Sequence, residues 1–211
     1  TYTLKSNVPH YASEANTQPG MPKYRDLNGD GVIDSNDRTV IGNGLPKHTG
    51  GFTNNFNYRD FDLSIFFQWS YGNDVLNANR LMFESSWNRT RELNQYASYA
   101  ERWTESNPTS NIPRATSSSS NRVFSSRIIE DGSFLRLKTV TLGYTVPRKM
   151  ISRVGIEQLR VYFAAQNLFT ISNYSGYDPE VSIRESALTP GLDFSAYPRA
   201  RSFSFGINLG F

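Results

Sequence analysis

The residues best placed to do chemistry are four aspartates and two asparagines gathered into twelve positions, Asp26-Leu27-Asn28-Gly29-Asp30-Gly31-Val32-Ile33-Asp34-Ser35-Asn36-Asp37. Carboxylates at this density repel one another unless a cation draws them together. The spacing follows the calcium-loop pattern D-x-[DN]-x-[DN]-G. Asp26, Asn28 and Asp30 offer side-chain oxygens at positions 1, 3 and 5. Val32 offers a backbone carbonyl at 7, Asp34 reaches through water at 9, and Asp37 closes the shell at 12. Gly31 permits the sharp turn. An all-oxygen set of this kind suits a hard cation, Ca2+, in a structural role. The closing carboxylate is one methylene shorter than the usual Glu, which implies a tighter loop. Without an ion, the same residues make an Asp/Asn/Gly turn.

Other chemistry is sparse. The chain has no cysteine, and its two histidines, His10 and His48, both lie in polar stretches. They leave neither a metal cluster nor a His-activated nucleophile. Glu130, Asp131, Asp178 and Glu180 are carboxylates, but nothing in their spacing sets the separation a glycosidase needs. We therefore assign no catalytic residue and expect a non-enzyme. The net charge is +3 and the pI near 9.1, yet Lys and Arg are scattered without a basic stripe. Nucleic acid is not an expected partner.

The rest of the chain is built mainly on strands. In Phe61-Asp62-Leu63-Ser64-Ile65-Phe66-Phe67-Gln68-Trp69-Ser70-Tyr71, one face carries Phe61, Leu63, Ile65, Phe67, Trp69 and Tyr71, and the other Asp62, Ser64, Gln68 and Ser70. Only Phe66 breaks the alternation. At about 3.3 Å per residue and a tilt near 45°, the stretch covers roughly 26 Å, the height of a barrel's apolar band. No run approaches the eighteen or so apolar residues of a membrane helix, a test that barrel strands escape.

Four more stretches alternate in the same way, giving strands near 50–58, 61–71, 133–146, 158–170 and 200–211. Their polar faces are rich in Ser, Thr, Asn, Gln and Gly, where a solvated face would carry Lys and Glu. Strict alternation places Arg136 and Lys138 in the apolar register of the third strand, so they are expected above the hydrocarbon. Arg59-Asp60 and 147–158 are short connections, whereas 72–132 and 171–199 are long loops, an asymmetry typical of barrels. In the first long loop, Leu76, Arg80, Phe83 and Trp87, then Leu93, Tyr96, Ala100 and Trp103, recur at helical spacing and predict two short helices. Trp87, Trp103, Tyr96, Tyr99, Tyr174 and Tyr177 are read as loop packing. Residues 1–49 form a loop region that includes the calcium-type loop, and 50–211 the strands. A soluble, calcium-stabilised β-sandwich, an adhesion or carbohydrate-binding module, would share the period of two and is the alternative.

Several motifs occur together and in order. They are Asp26 to Asn43, Phe61-Asp62-Leu63-Ser64 with Ser70-Tyr71-Gly72-Asn73-Asp74, Glu130 to Lys138, Ala165-Gln166-Asn167-Leu168-Phe169 with Tyr177-Asp178-Pro179-Glu180, and the last strand ending in Phe211. In these motifs the chain resembles the C-terminal part of SusC/RagA-type TonB-linked outer-membrane transporters. The resemblance implies an all-β antiparallel transmembrane barrel segment with long extracellular loops, one carrying short helices. It further implies import of oligomeric nutrients, glycan or peptide, across the outer membrane of a Gram-negative bacterium. The implied partners are the rest of the barrel and its plug, a SusD-like surface lipoprotein, the TonB complex, the oligosaccharide or peptide substrate, and outer-membrane lipid. Five strands cannot close a large barrel, so the remaining strands and the plug are expected in a longer polypeptide.

Overall fold

The computed structural model describes residues 10–11, 18–85, 94–116, 124–152, 155–181 and 190–211. The chain divides into two compact units, each assembled from separated segments. One gathers the described parts of Thr1–Asn43, Leu76–Ile129 and Leu192–Ser195, the other Gly44–Val75, Glu130–Gly191 and Ala196–Phe211. The long excursion after the second main strand therefore belongs with the N-terminal loop region and not with the strands it joins.

The second unit is built on a five-stranded meander: β1 (His48–Tyr58), β2 (Phe61–Tyr71), β3 (Phe134–Thr145), β4 (Gln158–Ser172) and β5 (Ser202–Gly210). Every neighbour is antiparallel and consecutive in sequence. β1 passes to β2 through two residues, with Arg59 at φ +54, the positive value a tight hairpin of this length demands. A short helix, Arg148–Ile151, lies between β3 and β4.

Directly opposed residues share a face, so the register converts each strand's alternation into rows across the sheet. Phe56, Leu63, Leu142, Phe163 and Phe205 form one row, and Tyr58, Phe61, Tyr144, Val161 and Ile207 the next. Phe52 stacks on Phe67 with ring centroids 4.9 Å apart, extending the apolar face toward Trp69. A soluble sandwich would bury these rows against a second sheet. Phe56, Phe203 and Phe205 are instead 55%, 60% and 70% exposed, and the sandwich alternative lacks its core.

The opposite face is small and polar. Ser64, Thr141, Ala164 and Ser204 form one row, and Phe66, Thr139, Gln166 and Ser202 another. Phe66, the exception to the alternation, fits because its ring lies where a side chain at Gly51 would stand. Gly206 likewise leaves room for the ring of Tyr162, directly opposite.

The expected placement of Arg136 and Lys138 on the apolar face is wrong, and the reason is a β-bulge. Lys138 has no partner on β2 or on β4: Phe66 pairs with Thr139 and Phe67 with Leu137, while on the other side Thr139 pairs with Gln166 and Leu137 with Phe169. One extra residue reverses the alternation beyond it. Leu135 and Leu137 thereby join Trp69 and Phe67 on the apolar face, and Arg136 falls opposite Gln68 and Thr170 on the polar one.

In the first unit Val32–Ile33 pairs in parallel with His10–Tyr11. Of the two expected helices, the first is a six-residue turn, Ala78–Phe83, capped by the Asn77 side chain. The second is a 3-10 segment, Ala97–Glu101. Trp87 and Leu93 lie outside the described residues. Glu84, 6% exposed, joins this unit's segments by accepting from Arg80 at 3.1 Å, Arg127 at 2.7 Å and Ser98 at 3.1 Å.

Candidate functional site

Two groups of charged side chains invite a functional reading: the aspartate loop, and a cluster on the polar face of the sheet.

In the loop, the four aspartates and Asn28 fold back onto nearby backbone, as short polar chains do. Asp26 accepts the N–H of Gly29 at 2.6 Å and of Gly31 at 2.9 Å, one on each oxygen. Asn28 Oδ1 accepts from Asp30 N–H at 3.1 Å, and Asp30 Oδ1 from Val32 N–H at 2.8 Å. Gly29 and Gly31 both sit at positive φ, +77 and +78, and these turns aim the amides inward. Asp34 caps the 3-10 turn Ser35–Asp37, accepting from Asn36 N–H at 2.7 Å, and Asp37 returns the bond by accepting from Asp34 N–H at 2.8 Å. The other oxygen of Asp37 accepts from Leu27 N–H at 2.7 Å, closing the loop from position 12 back to position 2. These bonds, that from Leu27 foremost and then that from Asp34, hold the Asp37 carboxyl below its ordinary range.

Asp26, Asn28, Asp30, Asp34 and Asp37 thus tie the loop together through its backbone amides. Among the described residues, no three His, Asp or Glu side chains converge closely enough to hold a metal ion by themselves. The donor chemistry still fits a hard cation, because a carboxylate oxygen that accepts one N–H keeps a second lone pair.

The second cluster centres on Arg136, 1% exposed. Its guanidinium donates to Asp178 Oδ1, to Glu180 Oε2 at 3.0 Å and to Thr170 Oγ1 at 3.0 Å, and lies 5.3 Å from the centre of the Phe134 ring. A buried cation persists only when paired and hydrogen-bonded in this way. Asp178 also accepts the backbone N–H of Glu180 at 2.9 Å and of Arg199 at 3.0 Å, which draws two distant points of the 173–201 loop together. Lys138, turned the same way by the bulge, reaches Glu180 at 3.4 Å. Val75, Tyr174 and Val181 form a small core beside Ala196 in the same unit. The sequence carried a signal for this cluster: an Arg inside an apolar register, and Asp-Pro-Glu at 178–180 with no other evident use.

Of the loop aromatics, Tyr99 and Tyr174 are buried and the Trp103 ring packs over Gly20, whereas Tyr177 is exposed.

Strands of 9 to 15 residues with one continuous apolar face and one polar face form the wall of a transmembrane β-barrel. No family model matches the chain. Among curated proteins it is 34% identical over 200 residues, 92% of its length, to TonB-dependent receptor P3 of Formosa agariphila. It is 37% identical over 197 residues to TonB-dependent receptor P26 of the same organism, and 30% over 200 residues to TonB-dependent receptor SusC of Bacteroides thetaiotaomicron. It spans about a fifth of the length of these relatives, 18% to 20%. The solved structure of the RagAB peptide transporter superposes with a TM-score of 0.73 at 28% identity, over 85% of this chain and 19% of that one. RagAB in its closed-closed state gives 0.73 at 26%, over 88% and 20%. The chain belongs to the SusC/RagA-type TonB-dependent transporters, as a portion of one.

Proposed function

We propose that this chain forms the C-terminal barrel wall and loops of a TonB-dependent importer in the outer membrane of a Gram-negative bacterium. The importer carries oligomeric nutrients, peptide or glycan, beneath a SusD-like surface lipoprotein and is driven by the TonB complex. The observation that carries this reading is the exposed apolar face that runs across all five strands, in a chain whose relatives over nine tenths of its length are TonB-dependent receptors. An apolar surface of this extent needs lipid to cover it. The RagAB likeness favours peptide over glycan as the cargo. No catalytic step is needed for this role. In the same reading the long loops face the cell exterior, and the Asp26–Asp37 loop takes Ca2+ there as a brace.

The test is fractionation and uptake with the full-length protein. It should partition with the outer membrane and import labelled oligopeptides only when TonB is present. Recovery in the soluble fraction, or import indifferent to TonB, would reject the proposal.

A further inference from the structure

We propose that the cavity lined by Pro179–Val181 and Ala196–Ala200 is a subsite for a carboxylate group of the imported oligomer, with Arg199 as its direct contact. This rests on the importer reading above. The cavity measures about 950 Å³, within the range of ligand pockets. Thr49, Gln68 and Ser70 of the sheet's polar face line it, together with Phe134, Glu180 and Arg199.

Its electrostatics follow from the Arg136 cluster. Arg136, Lys138 and Arg199 bring three positive charges, and Asp178 and Glu180 bring two negative ones. The excess falls on Arg199. Each nitrogen of the Arg136 guanidinium is engaged, by Thr170, Glu180 and Asp178, and Lys138 holds Glu180 at 3.4 Å. Arg199 approaches Glu180 only to 4.0 Å, its side chain is 58% exposed, and it makes no side-chain hydrogen bond among the described residues. Its backbone is fixed nevertheless, because its N–H is held by Asp178. The site therefore presents one guanidinium with its donor fork open, carried on a fixed backbone, beside neutral amide and hydroxyl groups and a Glu180 already held by Arg136 and Lys138. A planar, singly charged carboxylate matches that fork with two parallel bonds. A phosphate dianion would call for more than one unpaired cation. The carboxylate can belong to a peptide or to an acidic sugar.

The experiment uses the full-length protein in detergent and three probes: a random octapeptide pool free of acidic side chains, the same pool amidated at its C-terminus, and trigalacturonate. Wild type should retain the free-carboxylate pool roughly tenfold better than the amidated one. Arg199→Gln should erase that difference while Arg199→Lys keeps part of it, and the backbone tie to Asp178 survives in both. Arg199-dependent retention of trigalacturonate alone identifies the carboxylate as a sugar acid's. Equal retention of both peptide pools without such trigalacturonate retention, selectivity unchanged in Arg199→Gln, or retention of no probe would overturn the subsite. TonB-dependent uptake of the same pools by cells is scored separately, so that loss of the subsite and loss of the importer reading give different results.

Discussion

Arg160 on β4 reaches across Gly143 on β3 to hold both carboxylate oxygens of Asp62 on β2, at 3.0 and 2.6 Å. The pair thus bridges two strands that are not neighbours, and it does so over a residue without a side chain. A Cβ at position 143 would meet the Asp62 carboxylate and the Arg160 guanidinium. Both are the ends of flexible chains that can swing aside. Gly143→Ala should therefore cost about what losing a half-exposed ion pair costs, roughly 0.5–1 kcal/mol. Denaturant unfolding of the full-length barrel should give that loss in the wild-type background and almost none alongside Asp62→Asn. Additive losses would mean that the glycine serves something other than the ion pair.

Arg136 is a harsher case because its partners are buried with it. Arg136→Met leaves the Asp178 carboxylate, 5% exposed, without its cation, and should cost about 3–5 kcal/mol. Arg136→Lys should recover only part, since an ammonium cannot serve Asp178, Glu180 and Thr170 in the guanidinium's planar arrangement. Limited proteolysis should show new cleavage within 173–201 in the Met variant. An uncut loop at wild-type stability would refute its role as an anchor.

The two faces of β2 should differ in what they tolerate. Ile65 lies in the apolar row with Val140, Ala165 and Phe203, and Ser64 in the polar row with Thr141, Ala164 and Ser204. Ile65→Arg should impair membrane assembly by roughly 2–4 kcal/mol, and Ser64→Arg by less. Comparable assembly of the two variants in an insertion assay would contradict the lipid-facing assignment.

For the aspartate loop, calorimetry on the full-length protein should detect Ca2+ binding that Asp30→Ala removes. An unchanged calcium isotherm in that variant would eliminate Asp30 as a ligand.

Asp37 adds a pH dependence whose sign is fixed. Its carboxyl lies below its ordinary 3.8 when folded, because Leu27 and Asp34 donate to it. The ordering it confers is complete above that value and is lost as pH falls through the lowered one. Exchange of the Leu27 amide, followed without calcium, should stay slow down to the ordinary carboxylate range and accelerate below it. Asp37→Asn should abolish that acid transition. A transition centred well above 3.8 would reverse the predicted sign.

Most of the strands and their faces were legible in the sequence, because side chains alternate with period two and, wherever no bulge intervenes, a residue's face follows from its neighbours along the chain. The sequence also marked the aspartate loop, where donors and turns lie within twelve residues. The bulge at Lys138 escaped it, since an extra residue is visible only when two partner strands are laid beside it, and with the bulge went the true position of Arg136. The helical spacing around Phe83 and Tyr96 was legible, but its extent was not: polar segments this short hold only as much helix as their packing supports. Tertiary structure alone decided that Asp178 and Glu180, more than forty residues from Arg136, meet its charge, because a guanidinium can leave water only where the fold brings carboxylates to it.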